Sequence, residues 1–330
     1  MDCIIKELAE AYGISIKEYY PHRNVWCLET SIGKKCLKKV NYSGTDAVFI
    51  WLATENLYNN GFTRFNRFVL TREGKPFFEK NGDIYILTDW IAGWESSYTD
   101  LDELRIAAEN LSEMHRASQG FVTPKFARQR IKWGYWIDNF QERLSELKTF
   151  KVKATCKESF FDKLFLMHVD FHIDQAERAV DLLEKSNYQE LVQRESSIHS
   201  FCHHDYAHHN VMINESQGFL IDFDYLICDL RCHDIASFML RAAKDNEWQT
   251  KYAAVALQAY ANCVPLWPGE KNVMYGFLTF PQDFWQAGYS YYIECNRPKE
   301  RMDKKLKSCL TAKQARAKCL QELAEICDER

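Results

Sequence analysis

The chain has 330 residues, of which 46% are hydrophobic, 14% aromatic and 27% charged, which excludes a disordered, collagenous or coiled-coil protein and leaves one large or two mid-sized domains. A formal charge of -4 provides no basic field with which to hold a nucleic-acid backbone. Neither Sec export nor membrane anchoring is expected, because the start at Met1-Asp-Cys lacks a basic segment and no apolar run approaches a membrane span. From Ser15 the pattern is that of strands: Ser15 to Tyr19, Val25 to Glu29 and, after a turn at Ser31-Ile-Gly33, Lys35 to Val40. Thr45 to Asn59 predicts a helix, with Thr45 or Asp46 as N-cap and Gly61 just beyond its end. Phe65 to Thr71 and Ile84 to Thr88 read as two further strands on either side of the polar turn Lys80 to Asp83. Beyond Gly93 helical periodicity dominates, first over Asp100 to Ala117. Further helices are expected at about Gly134 to Leu147, Glu158 to Lys185, Tyr188 to Glu195, Asp234 to Lys244, Trp248 to Cys263, Phe280 to Asn296 and Leu310 to Cys327. One hairpin interrupts them, Val211 to Asn214 and Phe219 to Asp222.

The chemistry is concentrated around that hairpin. Phe201-Cys-His-His-Asp-Tyr-Ala-His-His-Asn210 fits the kinase catalytic-loop pattern H-x-D-x-x-x-x-N, and Asp222-Phe-Asp224 follows after the hairpin. Phosphoryl transfer needs a carboxylate to receive or orient the proton of the attacking hydroxyl, and an amide oxygen with a second carboxylate to hold Mg²⁺ against the phosphates. Asp205, Asn210 and Asp222 are the candidates for those three roles. Strand ends on a hairpin hold such ligands rigidly, so the spacing carries more weight than an isolated Asp-Phe-Asp.

Together with Tyr85-Ile-Leu-Thr-Asp-Trp-Ile-Ala-Gly93, Leu111-Ser-Glu-Met-His115, Ile221-Asp-Phe-Asp-Tyr-Leu226 and Phe280-Pro-Gln-Asp-Phe-Trp285, these motifs resemble the CotS-type spore coat proteins, within the aminoglycoside phosphotransferase and choline kinase superfamily. The resemblance spans most of the chain. It implies an α+β, bilobal protein-kinase-like fold: a small antiparallel sheet with one helix over residues 1–93 for the nucleotide, and a larger, mainly helical lobe over 94–330. It implies ATP and Mg²⁺ as cofactors, Asp205 as catalytic base, Asn210 and Asp222 as metal ligands, and Lys38 as the lysine on the ATP phosphates. Glu55 becomes the helix partner of Lys38, Thr88 and Trp90 lie at the nucleotide-binding hinge, and Asp234 and His203 are scaffold. The implied activity is Mg-ATP-dependent transfer of a phosphoryl group to a small-molecule hydroxyl. The alternative is a structural coat protein that keeps the fold with little or no catalysis. The location implied is the mother-cell cytoplasm, the spore coat, or both, with other coat proteins as partners. Two departures stand out. The turn Pro21-His-Arg-Asn24 lacks the glycine that close approach to phosphates asks for, and His204 stands where many relatives in the superfamily have Gly. The short interval from Asp224 to Asp234 leaves little room for an activation segment, which favours a small-molecule acceptor over a protein.

Other features have competing readings. The 12 cysteines are scattered with no C-x-x-C and read as reduced thiols, and a zinc or redox pair at Cys228 and Cys232 lacks a second pair. Six of the ten histidines fall between His199 and His233, and His168 and His172 have the i, i+4 spacing of a helical zinc pair but lack the accompanying Glu. Lys38 competes with the reading of a solvated strand lysine beside Lys34, Lys35 and Lys39. Trp133, Tyr135, Trp136, Phe140, Phe284, Trp285, Tyr289, Tyr291 and Tyr292 read either as an acceptor pocket or as helix packing, with packing favoured. The basic run from Arg297 to Lys307 reads as a solvated helix face.

Overall fold

A five-stranded antiparallel sheet in the order β1-β2-β3-β5-β4 organises the first part of the computed structural model, which describes residues 2–294 and 298–327. Its strands are β1 (Ile16–His22), β2 (Val25–Thr30), β3 (Gly33–Val40), β4 (Phe78–Lys80) and β5 (Asp83–Asp89). Side chains alternate between the two faces, so each face carries its own cover. On one face a helix that the sequence analysis did not assign, α1 (Asp2–Tyr12), buries Ile5, Leu8 and Tyr12 against Leu28, Leu37, Tyr85 and Leu87. The three-to-four-residue step of Ile5, Leu8 and Tyr12 was the signal for it, and each such side chain contributes about 1.5–3 kcal/mol when fully buried. On the other face lies α2 (Gly44–Asn59), with Ala47 against Val40, Ile84 and Ile86. Its N-cap is Ser43, whose Oγ accepts from the Asp46 amide at 3.2 Å, in place of the expected Thr45 or Asp46.

The strand expected over Phe65 to Thr71 does not form. Phe65 bridges to Leu220 and Phe68 to Thr88, so the segment divides its backbone bonds between two sheets and makes a ladder with neither. The second sheet consists of β6 (Trp94–Glu95), β7 (Val211–Asn214) and β8 (Gln217–Leu220) in that order. Gly93 enters it at φ +128, where an added Cβ would lie 2.1 Å from the Ile213 carbonyl oxygen. Gly93→Ala is expected to cost on the order of 3 kcal/mol or more, read as a lowered urea midpoint, because neither the backbone conformation nor the space admits a methyl group.

The remaining elements are helical: α3 (Leu101–Ala117), capped by Asp100; α4 (Trp136–Thr155), α5 (Phe160–Leu166), α6 (Val169–Glu184), α7 (Tyr188–Ile198), α8 (Arg231–Asp245), α9 (Thr250–Cys263), α10 (Glu270–Thr279), α11 (Gln282–Tyr289), α12 (Lys299–Thr311) and α13 (Lys313–Cys327). The single helix expected over Glu158 to Lys185 is two, since Ser159 and Asp162 form a capping box that starts α5 and a break at Met167 and His168 precedes α6. After α11 the backbone widens into a π-turn at Ser290–Glu294; the rest of the segment expected to run to Asn296, and Arg297 of the basic run, lie outside the described residues.

Two compact units emerge from the contacts. The first comprises Met1–Ser97, Ile106–Ile131 and Ile198–Cys228; the second comprises Tyr98–Arg105, Lys132–Ser197 and Asp229–Arg330. In the second unit α6 packs on α4 and α10, and aromatic rings fill the space between helices: Phe165 stacks on Phe284 at 4.7 Å and Phe140 on Phe280 at 4.2 Å. Of the aromatics weighed in the sequence, Trp136, Phe140, Phe284, Trp285 and Tyr292 are buried core, whereas Trp133, Tyr289 and Tyr291 are half-buried and Tyr135 is exposed.

Candidate active site

Every residue of the site belongs to the first unit, because the segment from Ile198 to Cys228 brings the H-x-D loop and the hairpin onto it. On β3, Leu37 points into the α1 core and Lys38 to the opposite face. Its neighbours are spent on partners in the same sheet: Lys34 on Glu29 of β2, and Lys35 and Lys39 on Asp89 and Asp83 of β5. Lys38 instead reaches across the sequence to Asp222 and Asp224, with Nζ 2.8 Å from a carboxylate oxygen of each. Burial pulls the lysine pKa down, but Asp224 and Asp222 outweigh it and the net shift is upward. Asp224 is shifted up by burial and then by repulsion from Asp222, against which Lys38 works. The Tyr42 hydroxyl donates to the other Asp224 oxygen at 3.0 Å. The ammonium thus holds together two carboxylates that repel each other without it.

Pairing within the hairpin sets the rest. Val211 faces Leu220, and the Ile221 amide donates to the Asn210 carbonyl at 3.0 Å, so Asn210 at the entry and Asp222 at the exit stand side by side. Buried His203 sits 3.1 Å by Nε2 from the Ile221 carbonyl oxygen and fixes the loop to the hairpin. Asn210 donates through Nδ2 to the Asp205 backbone oxygen at 2.9 Å and to its Oδ2 at 3.3 Å, which commits the amide nitrogen and leaves the amide oxygen for other use. Both Asp222 (φ +65) and His204 (φ +68) adopt the left-handed conformation, at a cost of about 1–3 kcal/mol each, the kind of strain that collects at functional sites. Asp222 Oδ1 is buried with no protein partner, whereas Oδ2 takes Lys38. An orphaned carboxylate oxygen beside an available amide oxygen is a donor set that fits a hard divalent cation such as Mg²⁺.

Thr88 and Trp90 line the same cleft of about 570 Å³, together with Lys38, Asn210 and Asp222. Thr88 is buried and accepts from Asn66 Nδ2 at 3.0 Å. Trp90 meets the His22 ring edge-on at 5.3 Å. Above them the β1-β2 connection is a two-residue turn in which Arg23, rather than a glycine, takes φ +52, and its guanidinium is ion-paired with Glu95.

The expected pairing of Glu55 with Lys38 is not what forms. Glu55 binds Arg67 through two contacts of 2.8 and 3.0 Å, because the segment before β5 places that guanidinium against α2 while Asp222 and Asp224 take the lysine. Three residues of the site went unassigned in the sequence. Asp224 was visible in Asp-Phe-Asp but had no role there. Tyr42 and Arg130 gave no periodic signal; Arg130 donates to Asp46 Oδ1 at 2.9 Å and to the carbonyls of Asp224 and Leu226 at 2.9 and 3.2 Å, tying the segment after Asp222 to α2. The competing metal readings gather little. Cys228 lies 3.0 Å from Thr123 Oγ1, and buried Cys232 has its thiol pKa pushed up by burial. His168 and His172 collect no third ligand among the described residues.

Residues 5–323 match a family described as "Spore coat putative kinase YutH". The chain belongs to this family. A relative, "Spore coat protein S" of Bacillus subtilis (strain 168), is 23% identical over 98% of this chain and 94% of its own. An aminoglycoside phosphotransferase from Alicyclobacillus acidocaldarius superposes with a TM-score of 0.82 at 20% identity, covering 94% of this chain and 92% of that one. A spectinomycin phosphotransferase in complex with ADP and spectinomycin superposes with a TM-score of 0.63 at 15% identity, over 95% and 98% of the two chains. This member of the YutH family therefore has the kinase-like fold of small-molecule phosphotransferases: α+β, with a five-stranded antiparallel sheet near its start and a larger helical part. No described helix is long and apolar enough to cross a membrane.

Proposed function

We propose that the protein binds Mg-ATP in the cleft of its first unit and transfers a phosphoryl group to the hydroxyl of a small molecule. The observation that carries the reading is the convergence of Lys38, Asp222 and Asp224 beside Asn210 and Asp205, with one oxygen of Asp222 buried and unpartnered. In this reading Asn210 and Asp222 would hold the metal through their oxygens, and Lys38 would supply positive charge for the nucleotide's phosphates. Mg²⁺ and ATP supply the transferable group and neutralise its charge when bound. Asp205 accepts the acceptor hydroxyl's proton, and the Asn210 amide keeps its carboxylate in place. Thr88 and Trp90 border the space for the base, and Glu55, through Arg67, supports α2 rather than the phosphates. The residues 1–93 and 94–330 are assigned as nucleotide and acceptor lobes on the family resemblance, and the ADP and AMP-PNP complexes of similar solved phosphotransferases support the cofactor.

A second reading, assembly into the spore coat with little catalysis, is supported by the coat relatives and by the glycine-free turn held by the Arg23–Glu95 pair. A location in the spore coat or the mother cell belongs to either reading, with other coat proteins as partners. One titration separates the two. Saturating ATP with Mg²⁺ is expected to raise the melting temperature by about 2–4 °C, as ligand at a hundredfold its Kd does for a domain of this size class. The shift should vanish without Mg²⁺ and in Asp222→Ala. Absence of any shift in the wild type at millimolar ATP defeats the kinase reading and leaves assembly.

A further inference from the structure

A second cavity, of about 800 Å³, lies wholly within the helical unit, between α6, α11, α12 and the start of α13. Two of its lining side chains are almost completely buried and carry a polar atom with no protein partner: Nε2 of His172, 4% exposed, and Oγ of Ser290, 1% exposed. Hydrogen bonds assign the His172 tautomer. Arg316 donates to Gln175 Oε1 at 3.5 Å, which marks that atom as the amide oxygen, and His172 Nδ1 lies 3.2 Å from the same oxygen and so must donate to it. Nε2 is then a bare acceptor. The ring is stacked on buried Phe284 at 3.8 Å and cannot turn away. Burial first, and then Arg316, pulls its pKa down to about 3, so the imidazole stays neutral.

The rim has the opposite character. Six cationic side chains line the cavity against three acidic ones; Arg316 is half-buried and donates to the carbonyls of Leu278 and Phe280, Lys244 answers Asp283 at 2.8 Å, and the others lie toward the opening. Arg301 and Lys304, from the basic run read in the sequence as a solvated face, are turned to this cavity and exposed at it. An unpartnered acceptor that asks for a hydrogen-bond donor and a cationic rim that asks for negative charge select a ligand carrying both.

We propose that this cavity is a binding site for a small hydroxylated anion, a polyol phosphate or a hydroxy acid, whose hydroxyl donates to His172 Nε2 and whose charged group faces Arg301 and Lys304. Ser290 takes a second hydroxyl. The site is built entirely from the helical unit, so it stands whether or not the other unit binds a nucleotide.

The test is calorimetry on the full chain with glycerol 3-phosphate and with glycerate, against inorganic phosphate and glycerol. One of the two hydroxylated anions should bind one to one, which also tells phosphate ester from carboxylate, while phosphate and glycerol bind at least tenfold more weakly. His172→Phe keeps the stack on Phe284 but removes the acceptor, and should weaken binding about tenfold, the worth of one hydrogen bond lost in a buried site. Arg301→Gln with Lys304→Gln should weaken it similarly and flatten its salt dependence. In case the phenylalanine variant does not fold, ¹⁵N-histidine spectra of the wild type provide the second readout: the His172 Nε2 resonance should move with the bound anion. No binding of either anion at millimolar concentration, equal binding of inorganic phosphate, wild-type affinity in His172→Phe, or an unmoved Nε2 resonance each overturns the proposal.

Discussion

Asp205→Asn is expected to lower the rate of phosphoryl transfer by about 10²–10⁴ while leaving Mg-ATP binding near the wild-type level. The carboxylate that the Asn210 amide holds at 3.3 Å is the group assigned to the acceptor proton, and an amide of the same shape cannot receive one. Lys38, Asp222 and the Asn210 oxygen, assigned to the nucleotide and metal, are untouched by the change. Steady-state transfer to an acceptor found by screening, or slow hydrolysis of ATP in its absence, gives the rate, and calorimetry gives the binding. Loss of binding together with rate would make Asp205 a scaffold residue; an unchanged rate would remove it from the chemistry.

The largest stability effect is expected from a cluster no part of this chemistry uses. In the helical unit the Arg231 guanidinium, at the start of α8, binds both oxygens of Glu270 at 2.6 and 2.8 Å, and its backbone amide donates to Glu195 at 3.3 Å. All three residues are at least 95% buried, and Trp267 lies over the guanidinium at 4.1 Å while its amide donates to Glu270. Burial works against the charge on Arg231, but Glu270 outweighs it and the pKa moves up. Glu270→Ala leaves a desolvated cation with only Glu195, 4.0 Å away and beyond hydrogen-bond distance of the guanidinium, as its carboxylate, and should cost about 3–5 kcal/mol, read as a lowered urea midpoint. Glu270→Leu with Arg231→Met removes both charges and should recover much of that loss, because a well-packed apolar pair carries no desolvation penalty. A single variant as stable as the wild type would show that solvent reaches the guanidinium.

How much of this was legible beforehand differs by element. The strands from Val25 to Val40 and from Ile84 to Thr88 each pair along a continuous ladder, and alternation alone found them. Phe65 to Thr71 has the same composition but is shared between two sheets, a competition invisible to a local pattern. The first helix was readable from Ile5, Leu8 and Tyr12 and went unread because that segment was weighed only as an export signal. In the site, Asp205, Asn210 and Asp222 were picked out because a loop and a hairpin preserve their spacing. The lysine was picked out by the face that Leu37 does not occupy. The partner of Glu55 depended on which cation a loop placed beside α2, and no spacing encodes that.

The sequence by itself determined the local elements, the family and the order of the chemical groups, since propensity, capping and motif spacing act over a few residues to a few tens. The tertiary structure alone decided that Lys38 bridges Asp222 and Asp224, that Arg67 takes Glu55, that Phe140 and Phe284 are core, and that His172 and a basic helix share one cavity. Those are pairings between residues from about ten to almost two hundred positions apart. They follow from which groups burial leaves unpaired and which charges then lie within reach, and that is set only when the chain has closed on itself.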